Sequence, residues 1–396
     1  MKKVRNFKII FLLHLPPPVH GSSVVGLSIK ESKIINKRFN CFYINLLASH
    51  NIEESGTVNL NKLLGFILTW FKILFSIIRN RPNLCYLALS TTGAAFYKDI
   101  LLVALLKIFK IKRIYHLHNK GIKQNNKIIN RIFYSFVFKE ADIILLSKRL
   151  YPDIKAYVSE SRIHICPNGI PDRIPKSKFT TSLEIEQDSD YQYNKQIEVQ
   201  VNNPQKPVQI LFLSNLIESK GAYILLDACA NLKKKNILFK CIFIGAENDI
   251  TAFEFNKRID QLELSQQVCF KGTKYGIEKE YYFSNADIFA FPTYYHNECF
   301  PLVLLEAMTY SLPVISTFNG GISDEVENEI TGFLVEKRDV EVFSEKLELL
   351  TKSPNIRNQM GNAGRKKYEM EFTLEIFENR LVEIILDVIK KNAVTK

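Results

Sequence analysis

The sequence predicts an α/β protein built as two parallel-sheet domains in series, and three observations carry that expectation. The chain has 396 residues, more than one hydrophobic core usually organises. Short runs rich in β-branched and aromatic residues alternate with longer segments of helical periodicity, the pattern of βαβ units. Two such series are separated between Pro171 and Pro207 by a polar stretch without aliphatic runs, which reads as a linker or insertion.

Lys8–His14, Phe39–Asn45, Leu84–Leu89, Arg113–His118, Asp142–Ser147 and Arg162–Cys166 are the expected strands of the first domain. Val208–Ser214, Phe239–Gly245, Val268–Lys271, Asp287–Phe291, Pro313–Thr317 and Gly332–Val335 are those of the second. The expected bounds are a first domain over 1–172, a polar linker or insertion over 173–206, a second domain over 207–372 and a C-terminal helix over 373–396. That helix rests on Glu371–Lys391, whose apolar residues fall at helical spacing and whose lysines end it, where the helix dipole favours cations. The segment Leu63–Ile78 (LLGFILTWFKILFSII) is also helical in pattern, but with Lys72 inside it falls short of the roughly 20 apolar residues that cross a bilayer. Two readings stay open: a helix packed on a sheet, or an interfacial helix with Trp70 and Phe71 near lipid headgroups, flanked by Lys62, Arg79 and Arg81.

The composition, 46% hydrophobic with 12% aromatic residues, is that of a folded globular chain. Seven cysteines lie far apart with no Cys-x-x-Cys pair, which points away from a zinc site or a disulfide framework and toward a reducing cytoplasm. The apolar run Ile9–Leu15 holds His14 and ends in Pro16-Pro17-Pro18, suiting a first strand better than a signal peptide. Charge is unevenly divided: residues 1–170 hold 26 Lys and Arg against 8 Asp and Glu, the remainder 27 against 33. The N-terminal half therefore carries about +18 within a formal net of +12. An anionic partner, such as a membrane surface or an anionic acceptor, accounts for such a half; so does a lysine-rich composition bias. No aromatic-basic motif or recognition-helix signature supports nucleic acid.

The residues with the clearest chemistry run from Glu298 to Glu306. They follow the strand Asp287–Phe291 as a loop and then a helix, with Pro301 expected as the first helical residue, where a missing N–H costs nothing. Backbone N–H groups at Phe300, Pro301's neighbour Leu302 and beyond then meet a helix N-terminus, a natural site for a diphosphate. Two carboxylates beside a phosphate site would repel it, so Glu298 and Glu306 are expected to accept hydrogen bonds from hydroxyls, as a vicinal diol offers. Gly21, where the first strand meets a helix, lets backbone approach a ligand. His118 closes the fourth expected strand near its C-terminal end, where α/β sites form. His116, two residues earlier on the same strand face, is its competitor.

Glu298-x7-Glu306 with Phe300-Pro301 inside it and Pro313-Val314-Ile315 and Gly320-Gly321 after it resembles glycosyltransferase family 4. The resemblance extends to Lys220-Gly221, to Pro167-Asn168-Gly169 and to Pro18-Val19-His20-Gly21, and so covers nearly the whole chain except about 182–205. It implies the GT-B fold of two facing Rossmann-like domains, with the C-terminal helix crossing back to the first, and retaining transfer of a sugar from a UDP- or GDP-sugar donor. Glu298 then contacts the donor sugar, Glu306 the ribose, Lys220 the diphosphate and His118 the sugar from the opposite domain, with Gly21, Gly272, Phe300, Pro301 and Leu302 lining the substrate. Where the family has a second diphosphate cation, an Arg, this chain has Asn215 in Ser214-Asn215-Leu216. Asn215 offers a neutral hydrogen bond where a charged one is about twice as strong, so a nucleotide-sugar-binding protein with lost or weak catalysis is the alternative.

No metal cofactor is expected in this scheme. Asp188-Ser189-Asp190 matches the metal signature of another glycosyltransferase fold but sits in a polar insertion without a strand to hold it. The implied acceptor is a saccharide or lipid-linked saccharide bound by the basic N-terminal domain, in cell-surface polysaccharide or lipopolysaccharide assembly. The expected location is cytoplasmic, peripheral at the inner face of the membrane.

Overall fold

The computed structural model describes residues 7–46, 60–174 and 206–391, with the side chains of 60–63 undescribed. Most of the expected linker, including Asp188-Ser189-Asp190, lies outside the described residues. The first sheet comprises β1 (Lys8–Leu13), β2 (Asn40–Asn45), β3 (Leu84–Leu89), β4 (Lys112–Leu117), β5 (Asp142–Leu145) and β6 (Ile163–Ile165), in the spatial order β2-β1-β3-β4-β5-β6. The second comprises β7 (Val208–Leu213), β8 (Phe239–Ile244), β9 (Val268–Phe270), β10 (Ile288–Ala290), β11 (Val314–Thr317) and β12 (Gly332–Val335), in the order β12-β11-β10-β7-β8-β9. Every pairing is parallel. All twelve strands fall within two residues of their expected ends.

Parallel strands with helices on both faces are buried on both sides, so they read as continuous apolar runs; β3, LCYLAL, is buried at every position. α1 (Gly21–Glu31) and α2 (Lys33–Arg38) cover one face of the first sheet. α3 (Leu60–Asn80), α4 (Gly93–Ile108) and α5 (Ile128–Phe138) cover the other. The second sheet carries α6 (Ala222–Lys234), α7 (Ala252–Gln261), α8 (Gly276–Ser284), α9 (Leu302–Thr309), the short α10 (Ile322–Glu325) and α11 (Val340–Lys352).

The strand orders decide where ligands can sit. Each order reverses direction once, between β1 and β3 in the first sheet and between β7 and β10 in the second. Crevices open outside the carboxyl ends of the strands at such switch points.

Two helices close the described chain, α12 (Pro354–Glu371) and α13 (Leu374–Lys391), the second being the helix expected over 373–396. The helical pattern read from Glu371 begins three residues later, at Leu374. The break at Phe372-Thr373 arises because this backbone is engaged elsewhere: Ile170 N donates to Phe372 O and Leu374 N to Ile170 O, at 3.0 and 2.9 Å. A Cβ on Gly169 would lie 2.4 Å from Thr373 O, so glycine is what lets the two chain crossings touch. Thr373 Oγ1 then accepts from Ile376 N at 3.3 Å and caps the new helix. Phe377, Leu381, Ile385 and Val388 of α13 pack with Ile9, Phe11, Ile29 and Ile35 of the first sheet and its helices. The chain thus returns to its N-terminal half, beside the Asp172–Arg365 pair of 2.5 Å.

Candidate active site

The two sheets face one another across a cleft of about 700 Å³ lined by both halves of the chain. On the C-terminal side the loop after β10 carries Glu298, which is 7% exposed. Its Oε2 accepts from Lys220 Nζ at 2.6 Å and from Thr293 Oγ1 at 3.3 Å. Lys220 ends a short 3₁₀ turn (Glu218–Lys220) and its ammonium lies 4.6 Å from the centre of the Tyr295 ring and 5.6 Å from that of Phe291, so the cation is held by one charge and two aromatic faces. Gly221 follows in the left-handed region at φ +90, where a Cβ would stand 2.2 Å from Pro292 O. Only glycine permits that approach, which explains why Lys220 is followed by it.

Gly320 and Gly321 serve the same loop from below. Gly320 has φ +58 and a Cβ there would lie 2.2 Å from Glu298 O, while Gly321 N donates to Cys299 O at 2.6 Å. The pair fixes the backbone height of Glu298 and Cys299 over β11.

Pro301 is the N-cap of α9 and not its first residue, since its ψ of 115° is extended and the helix begins at Leu302. No side chain caps that end, and Phe300, Pro301, Leu302 and Val303 line the cleft. An uncapped eight-residue helix whose first N–H groups open onto a cleft attracts an anion. Glu306, one turn on, is 7% exposed and both its partners reach the same oxygen: Lys279 Nζ at 2.7 Å and Arg173 at 3.4 Å meet Oε1.

Arg173, Lys274 and Lys279 all line the cleft beside Lys220, and none was anticipated from the sequence. Arg173 sits in the stretch read as linker, and Lys279 is one of several charged residues on α8. No spacing singled them out, because their place depends on how the two halves meet. Asn215 also lines the cleft; its side-chain oxygen accepts from Ala246 N at 3.3 Å. Gly272 has φ +63 and its carbonyl accepts from Gly245 N at 3.0 Å; Thr273 and Lys274, immediately after it, reach the cleft lining.

The N-terminal side supplies His14, His20, Gly21 and His118. His116 is fully buried, its Nδ1 is 2.5 Å from Tyr86 Oη, and burial lowers its pKa to about 3. It is a core residue, whereas His118, just past the end of β4, faces the cleft. Burial first, then His116, His14 and His20, hold His118 well below the usual histidine range, so it meets a ligand as a neutral ring. His20 caps α1: its Nδ1 accepts from Ser23 N at 3.3 Å, and Ser22 Oγ lies 3.1 Å from both His20 Nδ1 and His14 Nδ1.

Contacts across the cleft hold the halves together. Lys120 Nζ donates to Asn319 Oδ1 at 3.0 Å, Arg149 Nε to Asp324 Oδ1 at 2.8 Å, and Ser147 Oγ bonds Asp324 Oδ2. Next to Asp324, Glu325 is fully buried with neither carboxyl oxygen hydrogen-bonded. Burial, then Glu298, pushes its pKa well up.

Two facing Rossmann-like domains with a cleft at both switch points and a C-terminal helix crossing back define the GT-B class. Residues 194–367 match the family described as glycosyl transferases group 1. The chain is similar to the capsular polysaccharide biosynthesis glycosyltransferase CapM of Staphylococcus aureus, 31% identical over 173 residues, 43% of each chain. It is also similar to the amylovoran biosynthesis glycosyltransferase AmsK of Erwinia amylovora, 30% identical over 184 residues, 46% of this chain and 45% of AmsK. The chain thus spans less than half the length of these curated relatives. Over 96% of its length it superposes on all of the Anabaena HepE chain solved in complex with UDP, with a TM-score of 0.73 at 16% identity. Sucrose-phosphate synthase of Thermosynechococcus elongatus gives 0.71 at 17% identity, covering 98% of this chain and 100% of that one. Both share the fold.

Proposed function

We propose that this protein is a retaining glycosyltransferase that moves a sugar from a nucleoside diphosphate sugar to a saccharide or lipid-linked acceptor in cell-surface polysaccharide or lipopolysaccharide assembly. The observation that carries the reading is the convergence, in one cleft, of the Glu298–Lys220 pair and the uncapped start of α9 opposite His118. The relatives named above, one a glycosyltransferase of capsular polysaccharide biosynthesis, one of amylovoran biosynthesis, and one solved with UDP, support it.

In this reading the diphosphate lies at the start of α9 within reach of Lys220, the ribose diol donates to Glu306, and Glu298 and the neutral ring of His118 hold the sugar. The bond from the sugar's anomeric carbon to the diphosphate oxygen breaks as a bond to the acceptor oxygen forms on the same face, and the acceptor proton passes to the departing diphosphate. Charge grows on that diphosphate, and prepositioned N–H groups and the Lys220 ammonium stabilise it where it forms, the term that usually dominates such catalysis. Arg173 and Lys279 add positive charge at the ribose end, so Asn215 need not replace the absent arginine alone. These cations serve the transfer without a metal cofactor. Both Glu306 cations share Oε1, which leaves the geometry of Oε2 suited to a hydroxyl donor.

The acceptor is assigned to the basic N-terminal half, and the enzyme to the cytoplasmic face of the membrane as a peripheral protein. Incubation with a panel of UDP- and GDP-sugars, reading nucleoside diphosphate release, tests the proposal. One donor should support turnover, and Glu298→Gln and Glu306→Gln should each lower it by about 10²-fold or more. Near-normal rates in both variants would overturn the site assignment. Donor binding without turnover, restored to turnover by Asn215→Arg, would favour the weak-catalysis alternative, which the engagement of the Asn215 oxygen with Ala246 N motivates.

A further inference from the structure

α3 carries two apolar stripes. Trp70, Ile73 and Ile77 point inward to the core. Leu64, Leu68, Phe71, Phe75 and Ile78, spaced four, three, four and three apart, point outward, with Leu68, Phe71 and Phe75 exposed at 62%, 57% and 63%. A packed surface helix needs only the inward stripe, so the outward one, which runs beside Lys72 and Arg79 on the outer layer of the first sheet, calls for a partner.

Its neighbours continue the face. α3 packs beside α4 and α4 beside α5; α4 exposes Leu101 and Ile108, and α5 exposes Ile128, Ile129 and Ile132, with Ile108 at 74% and Ile128 at 78%. Of twenty-four large apolar side chains exposed among the described residues, fourteen lie between Leu64 and Phe136. Scattered exposed apolar residues need no explanation, but a contiguous set on three adjoining helices marks an interaction surface.

Charge identifies the partner. From Leu60 to Lys139 the sequence has fourteen Lys and Arg and one acid, Asp99. Asp99 is buried and its Oδ2 accepts from Ser90 N at 2.8 Å, so it does not offset the surface. Lys72, Arg79, Lys98, Lys127, Arg131 and Lys139 are exposed on or beside the three helices. A protein partner of ordinary surface would meet this set with mixed charge, whereas apolar side chains ringed by cations of one sign match an anionic headgroup layer over acyl chains. No described helix is long and apolar enough to cross a membrane, which leaves docking in the plane.

We infer that α3, α4 and α5 form a platform that seats the protein on an anionic lipid bilayer. The platform is placed for the chemistry: α4 and α5 begin at the loops that follow β3 and β4, and the second of these carries His118 and the Lys120 that reaches Asn319 across the cleft. A bilayer on this face lies beside the cleft mouth, where the lipid-linked acceptor of the proposed function would arrive. The inference deepens that reading, but its test needs no catalysis, and so the two can fail separately.

The whole chain is floated with vesicles of phosphatidylcholine alone and of phosphatidylcholine mixed with phosphatidylglycerol, at low and high salt. Binding is expected to the mixed vesicles, falling as salt rises. With about 1 kcal/mol per cation near an anionic surface, the triple change Lys72→Gln, Arg79→Gln, Arg131→Gln should weaken it on the order of a hundredfold. Phe71→Ser with Phe75→Ser should weaken it while leaving the circular dichroism spectrum and the thermal melt unchanged, which shows that the fold is kept. Failure to float with the mixed vesicles at low salt would overturn the inference. So would a dimer by sedimentation velocity that Phe75→Ser dissolves, since the face would then belong to a second copy.

Discussion

Replacing Lys220 by Met tests the centre of the site, because the two consequences of the change have different sizes. The side chain of Lys220 is 16% exposed, that of Glu298 9%, and they meet at 2.6 Å. Removing the ammonium leaves Glu298 with Thr293 Oγ1 at 3.3 Å as its remaining hydrogen-bond donor. Truncating one member of a buried charge pair costs about 2–5 kcal/mol, and the open cleft lets water approach the abandoned carboxylate, so the low end applies. A loss of about 2 kcal/mol lowers Tm by roughly 4–8 °C in a domain of this size. The catalytic loss is larger: a missing donor to developing negative charge costs about 10²–10³ in kcat. Adding Glu298→Gln should recover most of the stability, since the amide carries no charge to strand, and none of the turnover. The assays are thermal melting and nucleoside diphosphate release for wild type, both singles and the double variant. Turnover in Lys220→Met within threefold of wild type, or turnover recovered together with stability in the double variant, would refute the reasoning and leave the pair a structural ion pair alone.

Gly320→Ala should displace the Glu298 loop, because its Cβ would lie 2.2 Å from Glu298 O at φ +58; about 1–3 kcal/mol of strain is expected, and calorimetric titration with the nucleoside diphosphate should show weakened binding, an unchanged Kd counting against the role given to this glycine. Glu325→Gln should show a stability gain that depends on pH. Below the ordinary carboxyl pKa of 4.5 both folded and unfolded wild-type chains hold the proton and the gain is constant. Above it the unfolded chain releases the proton while the buried native carboxyl keeps it, so wild type loses about 1.4 kcal/mol per pH unit until the native group ionises. The amide does not titrate, and denaturant melts at about pH 5 and about pH 8 should show the difference widening; a gap independent of pH would mean that Glu325 is ionised in the native state.

The fold was legible because a parallel sheet buries both faces of each strand. An uninterrupted run such as Leu84–Leu89 can hardly be anything else when turn signals bound it; the partly buried β2 and β6 followed instead from β-branched and aromatic residues between turn signals. The start of the last helix was legible to within three residues, but its cause was not: the periodicity of EFTLEIFENRL runs through Phe372-Thr373, and the interruption there comes from Ile170, some two hundred residues away. Pro301 shows a finer limit: its fixed φ suits both the cap and the first helical position, and only ψ distinguishes them. In the site, Glu298, Glu306, Lys220 and the paired glycines were readable because close backbone approaches impose residue types at fixed spacing. Arg173 and Lys279 were not, since their contact with Glu306 is made by chain segments brought together only when the linker end and α8 meet over α9.

That last contrast bears on why the missing arginine at Asn215 need not silence the site. A diphosphate needs positive potential over its length, and potential in a low-dielectric cleft sums over every nearby charge. The sequence displays only those cations held by a motif, here Lys220. The folded cleft adds Arg173 from the end of the first half, and Lys274 and Lys279 from the region of α8, all lining the same space. Of these, Arg173 and Lys279 share one carboxylate oxygen of Glu306, and Arg173 also lies 3.8 Å from Glu280; over the cleft lining as a whole, four cations, Lys220, Arg173, Lys274 and Lys279, face two carboxylates, Glu298 and Glu306. That surplus lies next to the α9 N-terminus, whose N–H groups carry positive potential of their own. The site can therefore be electropositive enough for a nucleoside diphosphate while departing from the motif at the one position where a motif would be read.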